Sequence, residues 1–327
     1  MRAVVIEPRE GGARLVVKDV EEPAPGPRDV MVRVCSAGLN RADLRRAASH
    51  FARSEGAVGP AIGGLELAGE VVATGAEVHD LVVGDRVMAM SGGAWAELAA
   101  FDHRLSLRVP ADFTWHQAAA TPISFITAHD ALSRAAGFRQ GETVLIQGAT
   151  SSAGLAATQL AVAMGAKKVF ATSTSPRKLP TLTALGAVSI DATSEDVARR
   201  VQEETDGLGA DVVLDIVGEG VVQQNIDAAA VQGRIVCLGR LAGTVGQFNL
   251  DEFSRKRIVM TGVTFRTRTS EERFQVVGRF TNEILPLLRA GSVVPMIDRS
   301  FALPEVELAE DYMKTSAGIG KILIDVA

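Results

Sequence analysis

Cysteine and tyrosine are nearly absent from this chain of 327 residues, which has two of the first and one of the second. Two thiols, Cys35 and Cys237, cannot make a disulfide framework; each stands in an apolar, strand-like run and reads as a reduced core residue. The five histidines, His50, His79, His103, His116 and His129, show no paired ligand spacing such as i, i+4, so none reads as a metal ligand. Basic residues are scattered under a net charge of −5, which argues against nucleic acid as a partner. No apolar run reaches membrane-spanning length, and charged Glu7 and Arg9 follow at once on the first apolar residues. Neither a membrane span nor a signal peptide is therefore expected, and the reading is of a soluble, cytoplasmic protein. A last absence is local: residues 143–190 contain no Asp or Glu.

What the chain does have is apolar material, 47% of its residues, and a length beyond that at which single cores stop growing, so two domains are expected. Its first part reads as an antiparallel, β-rich unit. Short β-branched runs recur at 31–35, 68–74 and 85–89, separated by turns such as Pro25-Gly26-Pro27 and Val83-Gly84-Asp85. Strands then alternate with helices: buried parallel strands are expected at 143–147, 168–172, 210–217 and 234–239. Beyond residue 260 the pattern is mixed again, with a helix over 271–289 and a final strand at 321–326. The fold class is α/β, with the domains placed at 1–118 together with 260–327 and at 119–259.

The acid-free stretch carries the functional signal. The strand Thr143-Val144-Leu145-Ile146-Gln147 leads into Gly148-Ala149-Thr150-Ser151-Ser152-Ala153-Gly154 and then an Ala-rich helix stopped by Gly165. Tiny side chains at such a turn let the backbone approach a pyrophosphate, whose charge the helix N-terminus stabilises. The turn departs from G-x-G-x-x-G at Ala149, Ser151 and Ser152, and taken alone it reads equally as an ordinary tight connection. The second strand adds to it. Where proteins selective for NAD place a carboxylate on the ribose 2′-OH, this strand ends in Thr172, Ser173 and Ser175, followed by Arg177 and Lys178. A 2′-phosphate would be repelled by an acid and held by these groups, so the expected cofactor is NADPH.

Several separated segments now add up. They are Gly38-Leu39-Asn40-Arg41-Ala42-Asp43, Gly64-Leu65-Glu66, Gly69-Glu70-Val71, Val83-Gly84-Asp85-Arg86-Val87, Ala118-Ala119-Ala120-Thr121-Pro122 with Thr127-Ala128, the pyrophosphate turn, and Gly318-Ile319-Gly320-Lys321. In this order the chain resembles the medium-chain dehydrogenase/reductase superfamily, and within it the zinc-independent quinone oxidoreductase branch, the zeta-crystallin-like reductases. The resemblance implies a GroES-like, β-rich catalytic domain built from both chain ends, an inserted doubly wound Rossmann domain, an active site in the cleft between them, and a homodimer. It also implies that Val217, Gly239, Leu241 and Lys321 join the cofactor site, and that Thr127 lies beside the nicotinamide.

Zinc-dependent relatives place a Cys ligand where this chain has Asn40 and a His ligand where it has Leu65; leucine cannot bind a metal, so no metal is expected. Without a Lewis acid, the chemistry left to such a cleft is hydride transfer to a quinone or to the β-carbon of an α,β-unsaturated carbonyl. Asn40 would donate to the developing oxyanion and Asp43 would orient backbone or shuttle a proton, although both also suit the bracing of a turn. Phe51, Trp95 and Phe125 are expected to line the acceptor pocket. The branch often carries a tyrosine at the position of Phe51 and another at Ala192; this chain has only Tyr312, far from either. The missing phenol leaves solvent, the ribose, Thr127 or His50 as proton source, and it keeps open a second reading, a non-catalytic NADPH-binding protein.

Overall fold

The computed structural model describes residues 1–9, 12–44 and 60–326. Two compact units emerge: one of Met1–Ile123, Arg266–Arg289 and Pro295–Ala327, the other of Ser124–Phe265 with Ala290–Val294. Among the described residues no helix is long and apolar enough to cross a membrane.

In the first unit, β1 (Arg2–Arg9) and β2 (Gly12–Asp19) pair antiparallel. The larger sheet is built around β3 (Asp29–Leu39), with β4 (Leu67–Thr74), β5 (Arg86–Ala89), β6 (Leu98–Asp102), β7 (Ser106–Arg108) and, from the far end of the chain, β14 (Ile297–Ala302) and β15 (Lys321–Asp325). The order is β14-β15-β3-β4-β5-β7, with β6 added alongside the first half of β3. Along that half, Val30, Val32 and Val34 face the core in strict alternation, as one buried face requires. The second half, residues 36–39, is buried throughout because β4 and β15 flank it on both sides.

The second unit holds a fully parallel sheet of β8 (Thr143–Gln147), β9 (Lys168–Ser173), β10 (Val188–Asp191), β11 (Ala210–Asp215), β12 (Ala229–Cys237) and β13 (Val259–Gly262), in the order β10-β9-β8-β11-β12-β13. All five residues of β8 are buried although their side chains alternate between faces, so the sheet is covered on both sides. Strand order reverses between β8 and β11, and in such doubly wound sheets ligands bind outside the strand C-termini at that reversal.

Among the described residues the α-helices are α1 (Trp115–Ala119), α2 (Pro122–Asp130), α3 (Ser152–Ala163), α4 (Leu179–Ala184), α5 (Val197–Glu203), α6 (Val222–Ala228), α7 (Leu250–Lys256), α8 (Ser270–Glu283), α9 (Leu285–Arg289) and α10 (Val306–Lys314). The single helix expected over 271–289 is two, because Pro286 lacks the N–H a continuing helix needs and sits instead in the first turn of α9. Residues 290–294 belong to the second unit, where the Gln159 side chain holds both polar groups of the Val294 backbone at 2.8 and 3.0 Å.

Candidate cofactor site and a buried polar cluster

The second unit brings the ends of β8, β9 and β11 together at the turn before α3. Gly148 leaves β8 with φ +71°, and Ser151 caps α3 by accepting from the Gly154 N–H at 3.2 Å. The backbone N–H groups of Thr150, Ser152 and Ala153 find no acceptor among the described residues. They stand at the positive end of a twelve-residue helix, which suits them to an anion. A Cβ on Gly154 would lie 2.6 Å from the Ala149 Cα, so only glycine lets the helix close on the turn. These features fit a pyrophosphate.

A chain of side chains holds this turn. The Gly148 N–H donates to Thr172 Oγ1 at 3.1 Å, Thr172 Oγ1 donates to Gln147 Oε1 at 2.8 Å, Gln147 Nε2 donates to Asn225 Oδ1 at 2.9 Å, and Asn225 Nδ2 donates to Asp215 Oδ2 at 3.0 Å. Asp215 Oδ1 accepts the Val217 and Gly218 N–H groups, each at 2.8 Å. Burial pushes the Asp215 carboxyl above the ordinary carboxylate range despite these donors. The network joins β8, β9, β11 and α6, and the sequence alone did not reveal Gln147, Asp215 and Asn225 as members. Their signal was weak: Gln147 and Asp215 are polar residues ending apolar strands, and Asn225 is a lone amide within a short helix.

Several residues expected at the cofactor do converge. A Cβ at Gly148 would lie 3.2 Å from Val217 Cγ2 and 3.8 Å from Leu241 Cδ1, while Gly239 presses so closely on the residue after β11 that a Cβ there would meet the Ile216 carbonyl oxygen at 2.4 Å. At the tip of β9, Ser173 Oγ receives the Ser175 N–H at 3.0 Å; Arg177 is exposed and Lys178 buried. One acid lies just past the acid-free stretch: Asp191 is the register partner of Ser173 on β10. Its oxygens accept from the Thr193 N–H and hydroxyl and the Ser194 hydroxyl, and those bonds hold its carboxyl below the ordinary range. Thr127 is half-buried on α2.

The first unit carries a separate, buried polar cluster. The Asn40 N–H donates to Asp43 Oδ2 at 2.7 Å and the Asp43 N–H returns a bond to the Asn40 carbonyl at 2.9 Å. Asn40 Nδ2 donates to Glu66 Oε1 at 2.9 Å, and Lys321 Nζ donates to Asn40 Oδ1 at 2.7 Å while ion-pairing with Glu66. The remaining Glu66 oxygen accepts the Ile123 N–H at 2.7 Å. Lys321, expected on the cofactor, is 1% exposed and its ammonium is engaged inside this cluster. Glu66, expected only as part of a sequence signature, is fully buried at its centre.

Of the residues expected to line an acceptor pocket, Trp95 is 1% exposed and packs its indole on Gly63 and Gly64 within the core of the first unit, and Phe125 is 2% exposed. Neither offers open surface. Phe51 and His50 lie outside the described residues. Leu65 is buried, and among the described residues no three His, Cys, Asp or Glu side chains are grouped to hold a metal ion. Both thiols are free and half-buried, and burial pushes each above its ordinary pKa.

Comparison with known proteins identifies the lineage. Residues 26–111 match the alcohol dehydrogenase GroES-like domain, and residues 153–282 match the zinc-binding dehydrogenase family. The quinone oxidoreductase of Pseudomonas aeruginosa is 33% identical over 320 residues, 95% of each chain. The chain belongs to the medium-chain dehydrogenase/reductase superfamily, in its quinone oxidoreductase-like branch. A quinone oxidoreductase structure from Pseudomonas syringae pv. Tomato superposes with a TM-score of 0.87 at 29% identity, covering 99% of this chain and all of that one. Erythronolide synthase of Saccharopolyspora erythraea contains a stretch 32% identical over 94% of this chain, which is 8% of that larger protein. Members of this branch are oxidoreductases that use a nicotinamide cofactor and a small-molecule substrate, and the chain is an enzyme of that kind.

Proposed function

We propose that the protein is an NADPH-dependent, zinc-independent reductase of quinones or α,β-unsaturated carbonyls. The observation that carries this reading is the second unit's turn: three backbone N–H groups open at the start of α3, beside a strand tip that presents hydroxyls and Arg177 where a carboxylate would select NAD. The dinucleotide, when bound, supplies the hydride. Thr150, Ser152 and Ala153 would hold its pyrophosphate through their N–H groups, and Ser175, Arg177 and Lys178 its 2′-phosphate. Asp191 keeps its negative charge opposite Ser173 while accepting from Thr193 and Ser194, so Arg177 and Lys178 must outweigh it for a 2′-phosphate to bind. Val217, Gly239 and Leu241 would form the surface under the nicotinamide ribose.

The acceptor's carbonyl oxygen gains negative charge as hydride arrives, and an amide N–H aimed at it lowers that barrier. Asn40 is the residue we assign to this donor, with Asp43 fixing its backbone and Thr127 the candidate proton source. Asn40 and Leu65 replace the side chains that would ligate zinc, which supports a mechanism needing no metal. A homodimer is supported by β13, an edge strand whose Val259 is exposed, as is Leu250 on α7. The branch's namesakes favour quinones, and the likeness within erythronolide synthase favours an enone. The test is NADPH oxidation against a panel of quinones and enones, repeated with NADH. Turnover of at least one acceptor class, with NADPH preferred, is expected; binding of NADPH without turnover of any acceptor would mark a non-catalytic cofactor-binding protein instead.

A further inference from the structure

Three adjacent strands bring together residues that stand far apart in sequence. The β3–β15 register pairs Leu39 with Ile322, which sets Lys321 opposite Asn40; the β3–β4 register pairs Ala37 with Leu67, which sets Glu66 opposite Gly38. Gly38 is what admits the Glu66 side chain, because a Cβ there would lie 2.2 Å from Glu66 Oε1. A lysine 1% exposed and a glutamate 0% exposed thus meet at the carboxamide of Asn40.

Such a pair is a poor device for stability. Removing two charges from water offsets most of their attraction, and well-packed apolar replacements are often as stable or more so. Its geometry does something else. An asparagine amide can sit in either of two flipped states, but here Oδ1 faces an ammonium at 2.7 Å and Nδ2 faces a carboxylate at 2.9 Å. Flipping the amide would set donor against donor and oxygen against carboxylate. Losing two charge-assisted bonds alone favours the observed state by roughly a hundred-fold or more. The Asn40 backbone is fixed as well, by its two bonds with Asp43. One amide hydrogen then remains on Nδ2 beyond the bond to Glu66, with no partner among the described residues.

We propose that Lys321 and Glu66 are a buried positioning pair that locks the Asn40 carboxamide in one orientation, so that its second N–H is presented as a fixed donor to the acceptor's developing oxyanion. This rests on the assignment of Asn40 made above. Preorganisation of this kind raises catalysis without new binding, since a donor already aimed needs no reorganisation in the transition state.

The test compares wild type, Asn40→Ala and the charge-neutral double variant Lys321→Met with Glu66→Gln, using NADPH and whichever acceptor the panel identifies. In the double variant turnover should fall roughly ten-fold or more, with acceptor KM, NADPH Kd and Tm near wild-type values, because only the donor's aim is lost. Nitrogen-15 NMR of the side-chain amides supplies a readout independent of turnover. In wild type the Asn40 resonances, identified by their loss in Asn40→Ala, should show one exchange-protected, carboxylate-bonded proton that disappears in the double variant. Wild-type turnover in the double variant, while Asn40→Ala is slow, would overturn the positioning pair and leave the role of Asn40 standing. Turnover, KM and Kd all worsening together would reduce the pair to a structural brace and overturn the proposal too. Unchanged turnover in Asn40→Ala would remove the catalytic reading of Asn40 and with it the purpose given to the pair. Should the double variant fail to fold, absence of a protected Asn40 amide proton in wild type would itself refute the lock.

Discussion

Adding one methyl group at Gly154 should separate two opposed effects that the structure quantifies. Alanine is the better helix former by about 0.8–1.0 kcal/mol, so Gly154→Ala in the first turn of α3 would stabilise an unobstructed helix. The position is obstructed. The new Cβ would stand 2.6 Å from the Ala149 Cα and 2.7 Å from its carbonyl carbon and oxygen, against about 3.5–4.0 Å for carbon atoms in comfortable contact. All three atoms are backbone, so no side chain can swing away, and the turn or the helix must retreat by roughly 1 Å. Overpacking of this kind costs about 1–3 kcal/mol. Over most of that range the clash outweighs the propensity, for a net loss of up to about 2 kcal/mol and a Tm lower by up to about 8 °C. The displaced turn is the one proposed to hold pyrophosphate, so NADPH affinity should drop by about ten-fold or more, the worth of one charged hydrogen bond. Gly278→Ala in α8 is the internal control, because a Cβ there meets nothing within 4 Å. It should stabilise by about 0.5–1 kcal/mol. Calorimetry with NADPH titration reads all of these values. A Gly154→Ala protein at or above wild-type Tm with unchanged affinity would refute the reasoning.

Arg177→Ala should weaken NADPH about ten- to a hundred-fold and leave NADH nearly unaffected, the cost of one charged phosphate contact being about 1.5–3 kcal/mol; equal Kd values for the two cofactors in wild type would contradict the assignment. Elemental analysis should find no stoichiometric zinc and chelators should leave the rate unchanged, because asparagine and leucine occupy the ligand positions; about one zinc per chain would reopen metal-assisted chemistry. Asp215 is pushed upward by burial, so the native state holds its proton more tightly than the unfolded chain does. Between the ordinary carboxylate value and the raised native one, rising pH therefore lowers stability. The Tm of Asp215→Asn minus that of wild type should climb with pH across that window and level off above it, and a difference that falls with pH would contradict the burial argument.

How much of this was legible beforehand depends on the range of the interaction involved. Strand β8 and the turn after it were readable because an apolar run, small residues and a helix follow one another locally. Even so, α3 begins at Ser152 and not at 155, since Ser151 caps it. The strand expected at 234–239 begins at Ala229, and the hairpin of β1 and β2 was not read at all, its residues lacking a clear alternation. The active-region residues divide in the same way. Asn40 was visible within a local signature, whereas its contacts with Glu66 and Lys321 depend on the registers of three strands drawn from both ends of the chain. Lys321 was accordingly expected at the cofactor and is found beneath Asn40. Trp95 looked like a pocket wall from its loop position, but the two glycines at 63 and 64 make room for its ring in the core.

In the proposed reaction a hydride passes from NADPH to an electrophilic carbon or oxygen without a metal. Single-turnover reduction of an active enone with NADPH deuterated at the transferred C4 position tests it most directly. A primary isotope effect on the single-turnover rate and deuterium at the product's β-carbon are expected, both unchanged in the presence of a chelator. Loss of the label to solvent, or a chelator that abolishes the step, would contradict it.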